Sequence, residues 1–138
     1  MKLFIFLGCV FFSTSFMQNP VQPIYTVSYS STDCYFFILV NNKEIYKNES
    51  QYKVTRSIPI EKYLEKNDSQ RIEYFMYPRH TMMELTEKSK LEVFVIKQIG
   101  EKFDTLHRSN LRNFGSKDEK GKMRFATRIG GYGYFLLD

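Results

Sequence analysis

The chain has 138 residues, of which 43% are hydrophobic and 17% aromatic, and it carries a formal net charge of +5. This length suits a single domain with one ordinary core and excludes two. The positive excess falls in residues 97–128, which hold nine basic and four acidic side chains. A solvated basic loop is the expected form of such a segment, and nucleic acid is the least available partner for an exported protein.

The first fifteen residues have the pattern of a secretory signal peptide. Lys2 supplies a positive start, residues 3–12 are apolar, and small residues follow up to Ser15. We expect cleavage near Ser15 and a secreted or periplasmic protein. An apolar run this short does not form a stable membrane span, which takes roughly 20 residues.

Cys9 allows a second interpretation, in which the cysteine is acylated as the first residue of a lipoprotein. The eight residues before Cys9 leave little room for a charged start and an apolar run, so the cleaved signal peptide is preferred. Removal of Cys9 would leave Cys34 without a partner for an internal disulfide. Cys34 is then expected to be a buried, small apolar residue.

The predicted elements after the signal peptide are strands. Residues 16–23 form a proline-punctuated lead-in, and residues 24–30 alternate as a strand with one wet face. Residues 34–40 are apolar on both parities, which is typical of a covered central strand. Asn41 and Asn42 tolerate the positive φ values of a two-residue hairpin turn, which predicts a short return strand over residues 43–47.

The middle of the chain continues the strand pattern. Residues 52–60 alternate, although Arg56 falls in the apolar register and Pro59 cannot donate to a ladder. Residues 60–66 are predicted to form one helical turn at a corner, and residues 71–77 to form the next strand. Since an unpaired buried guanidinium is costly, Arg56 needs a polar partner or an opening onto a cleft.

The last part of the chain is predicted to hold three strands and a loop. Residues 91–99 form a strand, residues 100–121 a long basic loop, residues 123–129 a strand, and residues 132–137 a last strand after a glycine turn. The fold class is therefore an all-β antiparallel β-sandwich, jelly-roll or Ig-like, of seven to eight strands with one short helical corner. Residues 24–138 form its single domain.

Three segments together carry a resemblance to a known class of proteins. These are Phe36-Ile38-Val40-Asn41-Asn42-Lys43-Glu44-Ile45, Ser57-Ile58-Pro59-Ile60-Glu61-Lys62-Tyr63-Leu64, and Gln70-Arg71-Ile72-Glu73-Tyr74 with Tyr77-Pro78. The succession resembles uncharacterised secreted β-sandwich proteins of Gram-negative bacteria, especially Bacteroidetes, and is similar to galactose-binding-like jelly-roll modules. Asn42 stands where that pattern usually has glycine. The resemblance implies a non-catalytic module and transfers no site residues.

The sequence contains no catalytic or metal-binding signature. There is no Gly-x-Ser-x-Gly elbow, phosphate loop, His-Glu-x-x-His or Cys-x-x-Cys motif. His80 and His107 lack a second histidine or cysteine at ligand spacing, so neither a metal site nor a cofactor is predicted. Scattered carboxylates keep a small secreted hydrolase as a third hypothesis, behind two binding functions.

The first binding hypothesis is a carbohydrate- or envelope-associated module. Tyr46, Tyr52, Tyr132 and Tyr134 lie near predicted turns, where a flat ring can stack on a sugar, and Arg56 is a further candidate ligand contact. The alternative for the tyrosines is a place in the core, and the alternative for Arg56 is a structural pair.

The second binding hypothesis is a periplasmic protein-interaction factor of the inhibitor or immunity type. Its candidate anchors are Arg108 and Arg112, in the segment predicted to be a basic loop. A plain solvated loop is the alternative for this segment.

Overall fold

A computed structural model of the chain describes residues 19–137. The predicted signal peptide, residues 1–15, lies outside the described residues, as does the first part of the lead-in. Within residues 19–137, no helix has the length and apolar character needed to cross a bilayer.

The described chain is built from antiparallel strands in two four-stranded sheets and one small hairpin. The first sheet has the order β4-β1-β6-β7: β1 Ile24–Thr32, β4 Lys53–Pro59, β6 Lys90–Ile99 and β7 Lys102–Arg112. The second sheet has the order β10-β5-β2-β3: β2 Tyr35–Val40, β3 Lys43–Asn48, β5 Ser69–Tyr77 and β10 Ile129–Leu136. The hairpin pairs β8 Ser116–Lys117 with β9 Met123–Arg124. The predicted all-β antiparallel fold is confirmed, with ten strands rather than seven or eight.

The core lies between the inner faces of the two sheets. Alternation along β1, β2, β5 and β6 buries every second side chain, and the fully buried set includes Val27, Phe36, Ile38, Ile72 and Val93. This period of two is what a strand imposes when only one face is covered. Ile58 is only half-buried because β4 is an edge strand.

Two predicted connections are confirmed. Asn41 and Asn42 turn between β2 and β3 with φ values of 50° and 64°. The Asn41 side chain also donates to the Tyr63 carbonyl (3.0 Å) and accepts from the Arg71 amide (3.0 Å). A 3₁₀ turn, Glu61–Tyr63, forms the expected helical corner. One asparagine thus joins the hairpin, the corner and β5.

A buried carboxylate fastens the loop after β5 to the sandwich. Asp33 lies between β1 and β2 with φ of 49°, and its carboxylate pairs with Arg79 at 2.9 Å. Thr86 donates to the same carboxylate, and the Ser89 hydroxyl donates to the Asp33 carbonyl at 2.8 Å. Because charges are rarely buried without partners, this cluster is best explained as a structural anchor.

The neighbouring Cys34 is fully buried and free, as predicted. Burial raises the pKa of its thiol to about 12. Cys34 is therefore protonated at neutral pH and behaves as a small apolar side chain.

The predicted basic loop at residues 100–121 is wrong in its first half, where β7 runs along β6. A register shift between Val95 and Ile96 leaves Leu106 without a residue opposite it. The apolar residues Phe103, Leu106 and Leu111 consequently do not keep a period of two, which is the pattern that predicts a strand.

The predicted glycine turn and the strand before it are also wrong. Gly130 and Gly131 lie inside β10, opposite Phe75 and Tyr74, and the strand over residues 123–129 is reduced to β9. A Cβ at Gly131 would lie 2.5 Å from Cε2 of Tyr74. These glycines are needed for the close approach of aromatic rings, not for a turn.

Candidate functional site

The outer face of the second sheet concentrates exposed and half-exposed aromatic rings. We call this surface the aromatic face; its members are Phe37, Phe75, Tyr77, Tyr132 and Tyr134. The strands β10, β5 and β2 lie side by side, so their outward residues meet although they are far apart in the chain. Tyr132 and Tyr134 are 63% and 58% exposed, so most of each side chain is accessible from solvent.

The strand register sets the arrangement of the rings. Phe37 is opposite Phe75, and their rings stack with centroids 5.0 Å apart. Tyr132 and Tyr134 follow one another on the outward parity of β10, with ring centroids 6.2 Å apart in an edge-on arrangement. The face therefore combines one stacked phenylalanine pair with two upstanding tyrosines.

Two guanidinium groups lie across these rings. Arg128 is 4.3 Å from the Phe75 centroid and 5.7 Å from the Phe37 centroid. Arg71 is 5.1 Å from the Tyr132 centroid and pairs with Glu73 at 2.8 Å. Cation–π contacts of this kind contribute about 0.5–1 kcal/mol at exposed sites.

Arg128 separates two open grooves. One groove of about 420 Å³ is lined by Phe37, Tyr77, Thr127 and the charged residues Glu44, Lys47 and Glu49. The other, of about 390 Å³, is lined by Glu73, Phe75, Gly130, Gly131 and Tyr132. Among residues 19–137, no carboxylate forms an ion pair with Arg128. Its guanidinium is therefore a donor available to both grooves.

The charged wall of the first groove is held in its ionised form. Lys47 and Glu49 pair at 2.8 Å, and the Tyr77 hydroxyl donates to Glu49 at 3.3 Å. The hydrogen bond from Lys47 lowers the pKa of the Glu49 carboxyl, and the same bond raises the pKa of Lys47. Burial raises the pKa of the Tyr77 hydroxyl, which stays protonated and keeps donating.

A glycine opens the floor of the second groove. A Cβ at Gly130 would lie 2.4 Å from Cδ1 of Phe75, so only glycine lets the phenylalanine ring lie flat over β10. The Phe75 ring covers the bare backbone at this point and gives Arg128 a flat surface to lie on. The groove therefore depends on this pairing of a glycine with an aromatic ring.

The predicted ligand-binding residues divide into two groups. Tyr132 and Tyr134 lie together on the aromatic face. Tyr46 instead packs against Tyr29 of the core, with ring centroids 4.8 Å apart. Tyr52 lies beneath Arg79 at 4.8 Å from its ring centroid. The contact with Tyr29 favours a structural role for Tyr46, whereas Tyr52 is 48% exposed but does not belong to the aromatic face.

Arg56 is exposed, and its guanidinium lies 5.7 Å from the Tyr46 ring centroid. It shares the parity of the inward residues, but β4 is an edge strand and its long side chain leaves the core for solvent. Because Arg56 is exposed, the cost of a buried guanidinium does not arise, and its contact is with the Tyr46 ring.

The two predicted partner-binding arginines lie on β7 and are both exposed. Arg108 lies 5.5 Å from the Phe94 ring centroid, which holds it against the first sheet. Arg112 ends the strand and lines a different cleft, with Phe114 and Met123. Arg108 and Arg112 therefore contact different neighbours.

Three rings of the aromatic face and its two arginines were missed by sequence reasoning: Phe37, Phe75, Tyr77, Arg71 and Arg128. Phe75 had a usable signal, because Ile72, Tyr74 and Met76 face the core and an aromatic residue on the opposite parity must face outward. No sequence signal indicated that the outward residues of β5 would lie beside those of β10, since this depends on which strands become neighbours in the sheet.

The site offers stacking surfaces, donors and acceptors. Among the described residues, no group of three or more histidine, cysteine, aspartate or glutamate side chains is arranged to hold a metal ion. The Tyr74–His107 hydrogen bond, 3.0 Å long, lies between the sheets and away from the aromatic face.

Comparison with known proteins adds no further assignment. No protein family, curated protein or solved structure matches the chain at the significance required of a match. The resemblance to secreted bacterial sandwich modules stays a prediction.

Proposed function

We propose that the protein is an exported, non-catalytic module that binds a glycan on its aromatic face. The observation that carries this proposal is the row of outward rings on β2, β5 and β10, crossed by two guanidinium groups and flanked by open grooves. The positively charged, apolar start of the chain supports export.

Aromatic rings suit a sugar because the ring face carries partial negative charge. The C–H groups on one side of a pyranose carry partial positive charge, so the sugar lies flat on a ring and removes apolar surface from water. Tyr132 and Tyr134 provide such faces above the sheet, and the Phe37 and Phe75 pair continues the apolar surface towards β2.

Hydroxyl groups of a sugar need both donors and acceptors. Arg128 donates without a carboxylate partner among residues 19–137, while Glu73 and Glu44 present acceptors at the groove walls. A site with apolar faces and a few placed polar groups is the usual form of a small-molecule site. This mixture of charges favours a neutral sugar over a strongly acidic one.

The proposal predicts binding that depends on the exposed tyrosines. The full chain should be screened on a glycan array, and hits titrated by calorimetry with wild type and with Tyr132→Ala/Tyr134→Ala. We expect the double variant to lose at least about tenfold in affinity, because two stacking surfaces disappear. Both substituted side chains are exposed, so the melting temperature should change little.

Phe103→Ala is the matched control, because Phe103 is 65% exposed on β7 and belongs to the other sheet. Its affinity should equal that of wild type. Retention of no glycan, or equal binding by the double tyrosine variant, would contradict the proposal.

A further inference from the structure

A second surface concentrates apolar side chains at the loop after β5. The segment 82–87 and the β8–β9 hairpin enclose a cleft of about 800 Å³ lined by Met82, Met83, Met123 and Phe125. A smaller cleft lined by Arg112 and Phe114 shares Met123 and Phe125 with it. We call the continuous groove the methionine cleft.

The methionine cleft holds the most exposed large apolar side chains of residues 19–137. Met83 is 90% exposed and Phe114 is 86% exposed, more than any ring of the aromatic face. Methionine is flexible and polarisable, and it adapts to the shape of a bound chain. Exposed apolar groups gathered at one groove mark a place where a partner covers them.

The walls of the cleft are fixed in place. Glu84 accepts from the Phe125 amide at 3.1 Å and pairs with Arg124 at 3.1 Å. The Leu85 amide donates to the Ala126 carbonyl at 2.9 Å, and the Asn113 side-chain oxygen accepts from the Ala126 amide at 3.3 Å. A groove built before binding avoids the cost of ordering its walls when a partner arrives.

The charge around the cleft selects the partner. The lining of the cleft carries three basic side chains and two acidic ones: Arg112, Lys122, Arg124, Glu84 and Glu87. Glu84 is paired with Arg124 at 3.1 Å, whereas Arg112, Lys122 and Glu87 form no ion pair with a described residue, which leaves an excess of one positive charge. An acidic partner would meet this positive excess and approach faster through a favourable field.

We propose that the methionine cleft binds an acidic segment of another protein that carries two or more large apolar side chains. The apolar side chains would enter the groove beside Met83 and Phe114, and the carboxylates would pair with Arg112 and Lys122. This inference is independent of glycan binding, since the cleft shares no lining residue with the grooves around Arg128.

Two phage-displayed libraries of twelve-residue peptides test the proposal. One draws its variable positions from Leu, Phe, Met, Ser, Asp and Glu, and the other replaces the acidic types with Lys and Arg. Enriched peptides are synthesised with a fluorescent label and titrated by anisotropy against the full chain. We expect enrichment from the acidic library, with binding weakened at least about tenfold by Met83→Ser/Phe114→Ser.

Val21→Ser/Phe103→Ser is the matched control, because Val21 and Phe103 are each 65% exposed elsewhere and should leave binding unchanged. Enrichment from the basic library alone, or from neither library, would overturn the proposal. So would equal binding of the selected peptides to the Met83→Ser/Phe114→Ser variant. Light scattering tests whether the cleft binds a second copy of the chain instead. A dimer that the Met83→Ser/Phe114→Ser variant abolishes would assign the cleft to that copy and overturn the proposal.

Discussion

At the scale of single residues, His107 is the most constrained titratable group of the seam between β7 and β10. Its Nε2 atom is 3.0 Å from the Tyr74 hydroxyl, and a Cβ on Gly133 would lie 2.2 Å from its Cε1 atom. The imidazole thus fills the space that the glycine leaves open. Burial lowers the pKa of His107, since charging the ring there forfeits hydration.

This environment predicts that His107 makes stability depend on pH. In the unfolded chain the histidine titrates near a pKa of about 6.5, whereas the folded protein takes up that proton only at lower pH. As the pH falls below about 6.5, the unfolded state binds more protons and the free energy of unfolding decreases. Urea unfolding at pH values from 7.5 to 5 should show a smaller decrease for His107→Gln.

The control for this experiment is Phe103→Gln, which replaces an exposed ring that does not titrate on the same strand as His107. It should keep the wild-type pH dependence. The same decrease in His107→Gln as in wild type would show that the burial of His107 has no energetic consequence.

At the scale of elements, local turn chemistry was predictable and edge strands were not. Asn41 and Asn42 predicted the hairpin turn, because few residues other than glycine and asparagine accept positive φ. The strand β7 gave no comparable signal, since its bulge opposite Val95 and Ile96 interrupts the alternation. Gly130 suggested a turn for the same local reason, and only its neighbour Phe75 explains its place in β10.

The hairpin turn predicts opposite effects from two similar substitutions. Asn42 is exposed with φ of 64°, so Asn42→Gly removes backbone strain and should stabilise the protein by roughly 0.5 kcal/mol. Asn41→Gly removes the acceptor of the Arg71 amide and the donor to Tyr63, and should destabilise it by about 2 kcal/mol. Chemical denaturation of the two variants measures both effects, and equal changes would refute the assignment of the network to Asn41.

At the scale of the whole molecule, the alternation of apolar and polar residues predicted the two packed sheets, but it did not predict the aromatic face. Ile72 and Val93 were placed in the core by parity alone. Tyr132 and Tyr134 were candidates because they lie near predicted turns, yet their association with Arg71 and Phe75 depends on β10 pairing with β5 across more than 50 residues of chain. Pairings of such separation arise from the packing of the whole sandwich and leave no local mark in the sequence.

The rate at which a reagent labels the buried Cys34 thiol measures how often the two sheets open. In a chain with Cys9→Ser, Cys34 is the single thiol. Its full burial and raised pKa predict that labelling by a disulfide reagent at pH 8 is at least about a hundredfold slower than in urea. Labelling rates measured at increasing urea should then rise in step with the falling free energy of unfolding. Fast labelling of the native protein would mean that this junction opens locally.

Glycine and aromatic residues alternate along β10. The glycines allow the strand to pack against the interior, and the tyrosines form its solvent-facing surface. Gly131 and Gly133 face Tyr74 and His107 without room for a methyl group, so a larger residue at either position would disturb the interior. Tyr132 and Tyr134 face solvent, and changing them leaves the interior untouched. Under the proposed glycan-binding function, such a strand can change the sugar that it binds while the architecture beneath it stays constant.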